Sequence, residues 1–430
     1  MKQTLAWGDT LGLGLMVFSF FFGAGNLIFP PLAGQLAGQQ VGWALGGFTL
    51  SSVLLPIAAI LAIARSGSFT AMMSELPKEI AVTVTLIAFS LMGPLFVTPR
   101  TGIVVFDVVC KPLLGEGKMA AQFVVTTVFF AMTLLFCWNR GGLIDAIGKI
   151  ITPVLFLLLV GLALGVLLFP QGSAQAPQAA YQSHPLAQGF IEGYQTMDTF
   201  GSLMFGSLIV EVLRAKGITD PRRNCYYLIV AGLIAAVGLA FVYCTLFALG
   251  ATSAIKVPQA TTGVEVLTCY VQGLLGSWGL VLLGIVVFLA CITTAVGLLS
   301  GFADYMATIT SRNYRFWIVI STIISTLVAN MELSTMMTLS QPLLTALYPV
   351  VIAIVVLTLC RHRLPNPRRS YHLMFSLALV SGILDSLRTI KVDLRVLHCI
   401  PGFEQGVGWM LPSCLLLLFL CFIRPVGNQY

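Results

Sequence analysis

The chain has 430 residues, of which 58% are hydrophobic and only 9% charged. A soluble domain carries about 25% charged residues, so the composition excludes a soluble enzyme or binding module and indicates a polytopic α-helical membrane protein. A membrane β-barrel would show short alternating strands instead, and the net charge of +7 reflects loops between spans, not a nucleic-acid surface.

About twelve stretches each hold about the 17–25 apolar residues that a membrane helix needs, the third and eighth being long enough to tilt. They run over 10–37, 41–64, 80–109, 119–138, 143–169, 190–213, 224–250, 276–307, 314–331, 334–360, 371–390 and 406–424. The N-terminus, MKQTLAWGDT, offers no small-residue cleavage site, so the first stretch reads as a retained span. Trp7, Trp43, Trp138, Trp278, Trp317 and Trp409 all fall near span ends, where interfacial tryptophans belong. The ten cysteines are scattered without a CxxC pair, so neither a zinc site nor a disulfide framework follows.

Span 1 contains the most informative stretch, SFFFGAGNLIFPP at Ser19–Pro31. Hydrocarbon offers no partner to a peptide group, so a spanning helix must satisfy its own. Gly23, Gly25 and Asn26 lie near the middle of this span, with Pro30 and Pro31 just beyond. Glycine weakens a helix by about 1 kcal/mol against alanine, and proline removes a donor. Two half-helices meeting near Gly23–Asn26 are expected. Broken helices at mid-membrane line cavities, and transporters build substrate sites from them. Close helix packing through small residues is the competing reading, but it leaves Asn26 and the prolines unexplained.

Span 3 carries Arg100, an intramembrane cation that costs about 2.5–3.5 kcal/mol at the bilayer centre unless it finds a partner. It follows Pro99, which is expected to kink the span, and it precedes Asp107 by two turns. A structural or gating pair is the expectation for Arg100, with a direct substrate role as the alternative. Span 6 reads GYQTMDTFGSLMFGSLIV and holds Asp198, Gly201 and Ser202 in an apolar run. A second break is expected over Met197–Ser202, unless Asp198 is a solvated capping carboxylate at the span's outer edge.

Placing the N-terminus inside puts sixteen of the 23 lysines and arginines in cytoplasmic segments and six outside, with Arg100 within a span. The positive-inside rule therefore sets both termini in the cytoplasm. Span 1 then runs outward and span 6 inward. They would be equivalent members of two oppositely directed halves, 10–169 and 190–360, with 371–424 as two further spans, all in one transmembrane domain covering 1–430.

GAGNLIFPP in span 1, GPLFVTPRTG in span 3 and GYQTMD in span 6 together resemble the bacterial branched-chain amino acid carrier family, the BrnQ-type or LIVCS family. The motif order and hydropathy match over essentially the whole chain. This resemblance implies cation-coupled uptake of leucine, isoleucine and valine across the bacterial inner membrane. It also implies the leucine-transporter-type fold, a 5+5 inverted repeat with helices 1 and 6 broken. Carried over by spacing, a sodium site falls on the carbonyls of Ser19, Phe22 and Ala290 and the hydroxyls of Thr293 and Thr294. Sodium is the expected coupling ion and the proton the alternative; no cofactor is expected.

A zwitterion at mid-membrane needs a home for its carboxylate, one for its ammonium and a pocket for its side chain. The outer half of span 1 starts near Asn26, and its free N–H groups can take a carboxylate without any arginine. The carbonyls ending the inner half of span 1 and the outer half of span 6 can accept from an ammonium. Substrate contacts are accordingly expected at Gly23, Ala24, Gly25, Asn26, Met197, Asp198, Phe200, Gly201 and Ser202. Phe18, Phe21, Phe22, Met204 and Phe205 are further apolar candidates. In span 8, LACITTAVG places Ala290 and Thr293 on one helical face with Thr294 at its edge. Such hydroxyls often only bond the preceding turn's carbonyl.

No GxSxG, HExxH or Walker-type loop occurs, and His184, His362, His372 and His398 all fall in loops or at span ends. No enzyme and no ATP-driven pump is expected. Partners are membrane lipid and a small amino acid, not nucleic acid, and the sequence leaves the oligomeric state open. The alternatives are the same machine with another apolar or aromatic cargo, and a channel or transporter-like sensor.

Overall fold

The computed structural model describes residues 4–111, 119–138, 144–258, 260–389 and 402–422, and among them every regular element is helical. Lys2, Lys118, Arg140, Lys391, Arg395, His398, Arg424 and the ends of spans 5, 11 and 12 lie outside the described residues. The helices follow the expected order and keep that numbering below as segments. By length and composition, eight described helical stretches qualify as spans, or nine with the bent pair of segment 6. Shorter apolar helices at Trp7–Phe21, Tyr314–Val328 and Met410–Cys421 account for part of the difference from twelve.

Segment 1 is cut where its glycines begin. Helix Trp7–Phe21 stops, Phe22 takes φ −74° and ψ 89°, Gly23 takes φ −124° and ψ −160°, and helix resumes at Ala24–Ala37. The restart comes at Ala24, two residues before the expected Asn26, because the Asn26 side chain serves the new helix: its Oδ1 accepts from the Gly23 N–H at 3.1 Å. Pro30 and Pro31 lie inside this half-helix, not in its first turn. They deprive the Asn26 and Leu27 carbonyls of their usual donors four residues on.

Segment 3 breaks earlier than expected. Gly93 departs to φ −78° and ψ −111°, and Phe96 to φ −132° and ψ −58°. Pro99 therefore does not kink the span. It stands in the first turn of helix Val97–Val105, where a missing N–H costs nothing. Segment 6 consists of Pro185–Tyr194 and Asp198–Ala215, bent by 41°. Met197 at the joint has φ 64°, the only positive φ among the described non-glycine residues. The break thus spans Gln195–Met197, and Thr199–Ser202 are helical, because Asp198 opens the second half with an acid in its first turn. Segment 8 belongs to a longer helix, Gly263–Ile309, interrupted at Gly276 with φ 61°.

Segment 7, Pro221–Ala251, packs along both halves of segment 1, and segment 8 packs against segments 1, 3 and 6. The breaks of segments 1 and 6 lie in this packed centre, while Met119–Trp138 turns Phe123, Val128 and Leu135 outward. Trp7 and Trp43 are exposed near helix starts, and Trp278 is exposed just past the interruption at Gly276. Trp409 is instead buried, and Trp317 donates Nε1 to Thr310 Oγ1 at 2.8 Å. At one end of the bundle Asp9 bridges Lys149 at 2.9 Å and Lys216 at 3.4 Å, tying together segments 1, 5 and 6.

Candidate functional site

The two breaks meet at a small cavity. Segment 1 supplies Gly23, Ala24, Gly25 and Asn26 to its wall; segment 6 supplies Thr196, Met197, Asp198 and Gly201. Phe21, Met92, Val97, Phe205 and Leu298 give it an apolar side. Two residues expected at the substrate are elsewhere. Phe200 turns edge-on to Tyr348 at 4.9 Å, and Ser202 donates to the Asp198 carbonyl at 2.8 Å, since the early restart of helix rotates both out of the break. Phe18 stacks on Phe22 at 5.5 Å, outside the cavity lining.

A closed triangle of hydrogen bonds joins the breaks. Asn26 Nδ2 donates to Asp198 Oδ2 at 2.8 Å, the Tyr243 hydroxyl donates to the same oxygen at 2.7 Å, and Asn26 Nδ2 also donates to the Tyr243 oxygen. Asn26, Asp198 and Tyr243 are all buried, so Asp198 is no solvated carboxylate at an edge. Both bonds fall on Oδ2, and the second carboxylate oxygen keeps acceptor capacity.

Arg100 also reaches this cavity, away from Asp107, because helix Val97–Val105 begins beside it. Its Nη1 donates to the Gln195 carbonyl at 3.2 Å, and its Cζ lies 5.5 Å from the Phe29 ring centre. Gly25 makes this approach possible: a Cβ there would stand 2.6 Å from Arg100 Nη2. The N–H groups of Ala24 and Gly25, in the first turn of the new helix, have no partner within it. The cavity is therefore lined by a guanidinium, a helix start and a carboxylate, the two charged groups near enough to attract each other. Such a chamber can hold a small molecule bearing both charges.

Of the oxygens expected for sodium, those of Ser19, Ala290, Thr293 and Thr294 lie together next to it. Thr293 Oγ1 lies 3.0 Å from each of the Ser19, Leu289 and Ala290 carbonyls, and Thr294 Oγ1 lies 3.1 Å from the Ser19 carbonyl. One hydroxyl carries one proton, so Thr293 can satisfy only one of its three carbonyls at a time. The cluster is rich in neutral acceptor oxygens, a donor set that suits a hard monovalent cation. Phe22 stands in the break itself, its N–H donating to the Phe18 carbonyl at 2.8 Å. A Cβ on Gly23 would come within 2.8 Å of Thr294 Oγ1, and Thr294 lines the larger cavity as well. The two sites share a wall.

Tyr243 was not marked by the sequence reading. Its signal is a lone phenol in an otherwise apolar stretch of segment 7, FVYCTLF, which pattern alone cannot tell from packing. Arg100 was visible as an intramembrane charge, but its partners come from segments 1 and 6 and could not be read from segment 3.

The model of the family described as branched-chain amino acid transport protein matches residues 7–426. The chain is 38% identical over 425 residues to the branched-chain amino acid transport system 2 carrier protein of Pseudomonas aeruginosa, covering 98% of this chain and 97% of that one. It is 36% identical to the branched-chain amino acid permease BrnQ of Escherichia coli K12, covering 100% and 99%. Among solved structures it resembles Mhp1, a nucleobase-cation-symport-1 family transporter, in a closed conformation, with a TM-score of 0.59 at 16% identity over 98% of this chain and 94% of that one. That likeness carries the fold alone: all-helical, of the leucine-transporter type.

Proposed function

Because the chain belongs to the family of branched-chain amino acid transport proteins, we propose that it is a secondary symporter carrying leucine, isoleucine and valine, with the cavity between the breaks as its substrate site. It is a transport protein of the membrane and not an enzyme. The observation that carries the substrate assignment is that a helix N-terminus at Ala24 and a buried carboxylate at Asp198 line one small chamber. Its apolar side, lined by Phe21, Met92, Val97, Phe205 and Leu298, suits an aliphatic side chain.

Sodium is the proposed coupling ion, held by the carbonyls of Ser19, Phe22 and Ala290 and the hydroxyls of Thr293 and Thr294. The acceptor-rich geometry at Thr293 supports this, and the shared wall at Thr294 and Gly23 gives ion and substrate a direct contact route. The breaks at corresponding places in segments 1 and 6 support the two inverted halves, 10–169 and 190–360. Rocking of segments 1–2 and 6–7 against 3–4 and 8–9 would expose the chamber alternately to either side. Asp9, Lys149 and Lys216 meet, which supports placing the start of segment 1, the start of segment 5 and the end of segment 6 on one side, the side that the positive-inside rule assigns to the cytoplasm.

The test is competition. In proteoliposomes, unlabelled isoleucine and valine should displace labelled leucine, while phenylalanine and uracil should not. Displacement by phenylalanine or uracil, but not by isoleucine, would assign the chamber to another cargo.

A further inference from the structure

Arg100 is an underused cation. A guanidinium carries five N–H donors in a rigid fork, yet among the described residues this one makes a single hydrogen bond, to the Gln195 carbonyl. Its Nε is buried with no partner. A residue that served only to pin segment 3 to the joint of segment 6 would have its donors saturated, because a buried and incompletely paired charge is costly. The unsatisfied fork instead lies beside the Gly25 backbone, against the start of the outer half of segment 1.

We propose that Arg100 is the carboxylate-binding residue of the substrate chamber, and that Arg100 and Asp198 together select a zwitterion over singly charged analogues. This deepens the substrate reading above and rests on it. The guanidinium fork matches a carboxylate with two parallel hydrogen bonds, and the free N–H groups of Ala24 and Gly25 add to the same corner. Asp198, fixed through Oδ2 by Asn26 and Tyr243, offers its remaining oxygen to the ammonium. The chamber holds one fixed cation and one fixed anion, which attract each other, and an α-amino acid pairs with both. An analogue lacking the ammonium leaves Asp198 unpaired beside its own carboxylate. One lacking the carboxylate leaves Arg100 unpaired beside its own ammonium. Rejection of both is therefore built from repulsion as well as attraction, which the expected helix-end site without an arginine would not provide.

The experiment measures inhibition of labelled leucine uptake by the full-length protein in proteoliposomes at pH 6.5. Leucinamide keeps the ammonium and loses the carboxylate; 4-methyl-2-oxopentanoate does the reverse. In the wild type both should inhibit at least about tenfold more weakly than leucine, because buried polar groups left unpaired discriminate strongly. In Arg100→Gln, leucine should weaken at least about tenfold while leucinamide stays within about twofold, so their ratio collapses. Arg100→Lys should recover part of that ratio. Equal weakening of leucine and leucinamide in Arg100→Gln, or an unchanged ratio, would overturn the proposal and leave the substrate reading intact. Should Arg100→Gln fail to insert, the wild type decides alone: leucinamide competing as well as leucine overturns the proposal. A wild type that takes up no leucine overturns the underlying reading and this proposal with it.

Discussion

The side-chain nitrogen Nδ2 of Asn26 lies 2.8 Å from Asp198 Oδ2, and that bond ties together two breaks separated by 172 residues of chain. Asn26 also caps its own half-helix through Oδ1. A single side chain thus fixes where the outer half of segment 1 begins and where the carboxylate of segment 6 points.

Tyr243 completes this arrangement from segment 7, and its removal should be felt in function more than in folding. Tyr243→Phe keeps the ring and deletes the donor to a carboxylate. A hydrogen bond to a charged group is worth about 1.5–3 kcal/mol, so the half-saturating leucine concentration should rise by about tenfold or more. Uptake kinetics check this. Unchanged kinetics would remove Tyr243 from the site.

The paired threonines of segment 8 give a separable prediction. Thr293→Ala with Thr294→Ala should raise the sodium concentration needed for half-maximal uptake by about tenfold or more, while the ranking of leucine, isoleucine and valine is preserved. Sodium titrations at saturating leucine measure the first and competition the second. Equal loss in both would point to a folding defect.

Gly25→Ala sets two effects against each other. In an ordinary helix the change stabilises by up to about 1 kcal/mol. Here the new Cβ would meet Arg100 Nη2 at 2.6 Å and the Thr196 Cα at 3.2 Å. Steric displacement wins, because Thr196 is backbone and cannot swing away. Leucine uptake should fall severely in protein that still inserts and elutes as the wild type does. Near-normal uptake would show that the corner is more open than its geometry implies.

Met197 holds φ 64°, a conformation that costs a residue with a Cβ about 1–2 kcal/mol. Met197→Ala and Met197→Gly lose similar packing, but only glycine escapes the strain. The glycine variant should melt above the alanine variant, by about 1 kcal/mol of stability. The reverse order would mean that Met197 does not adopt this backbone in the membrane.

The sequence made some of this legible and hid the rest for physical reasons. The first break was readable because its cause is local: Gly23, Gly25 and Asn26 are poor helix formers wherever they stand. The second was misplaced by a few residues because Met197, an ordinary helix former, carries the turn, while Gly201 and Ser202 look like breakers yet are helical. The kink of segment 3 was assigned to Pro99 although Gly93 and Phe96 make it, since a proline is a breaker only when it falls beyond the first turn. Membrane character followed from composition alone. Tyr243 and the placement of Arg100 depend on which segments become neighbours, and no single stretch records that.

The central claim is that the two breaks hold an amino acid together with a cation, and its most direct test is gradient dependence. Proteoliposomes containing the purified protein are offered labelled leucine with an inward sodium gradient, with a proton gradient, or with neither. Accumulation above the external concentration under the sodium gradient, abolished when the gradient is collapsed, is the predicted result. Equal accumulation without any ion gradient, or equilibration that never exceeds the external concentration, would contradict it.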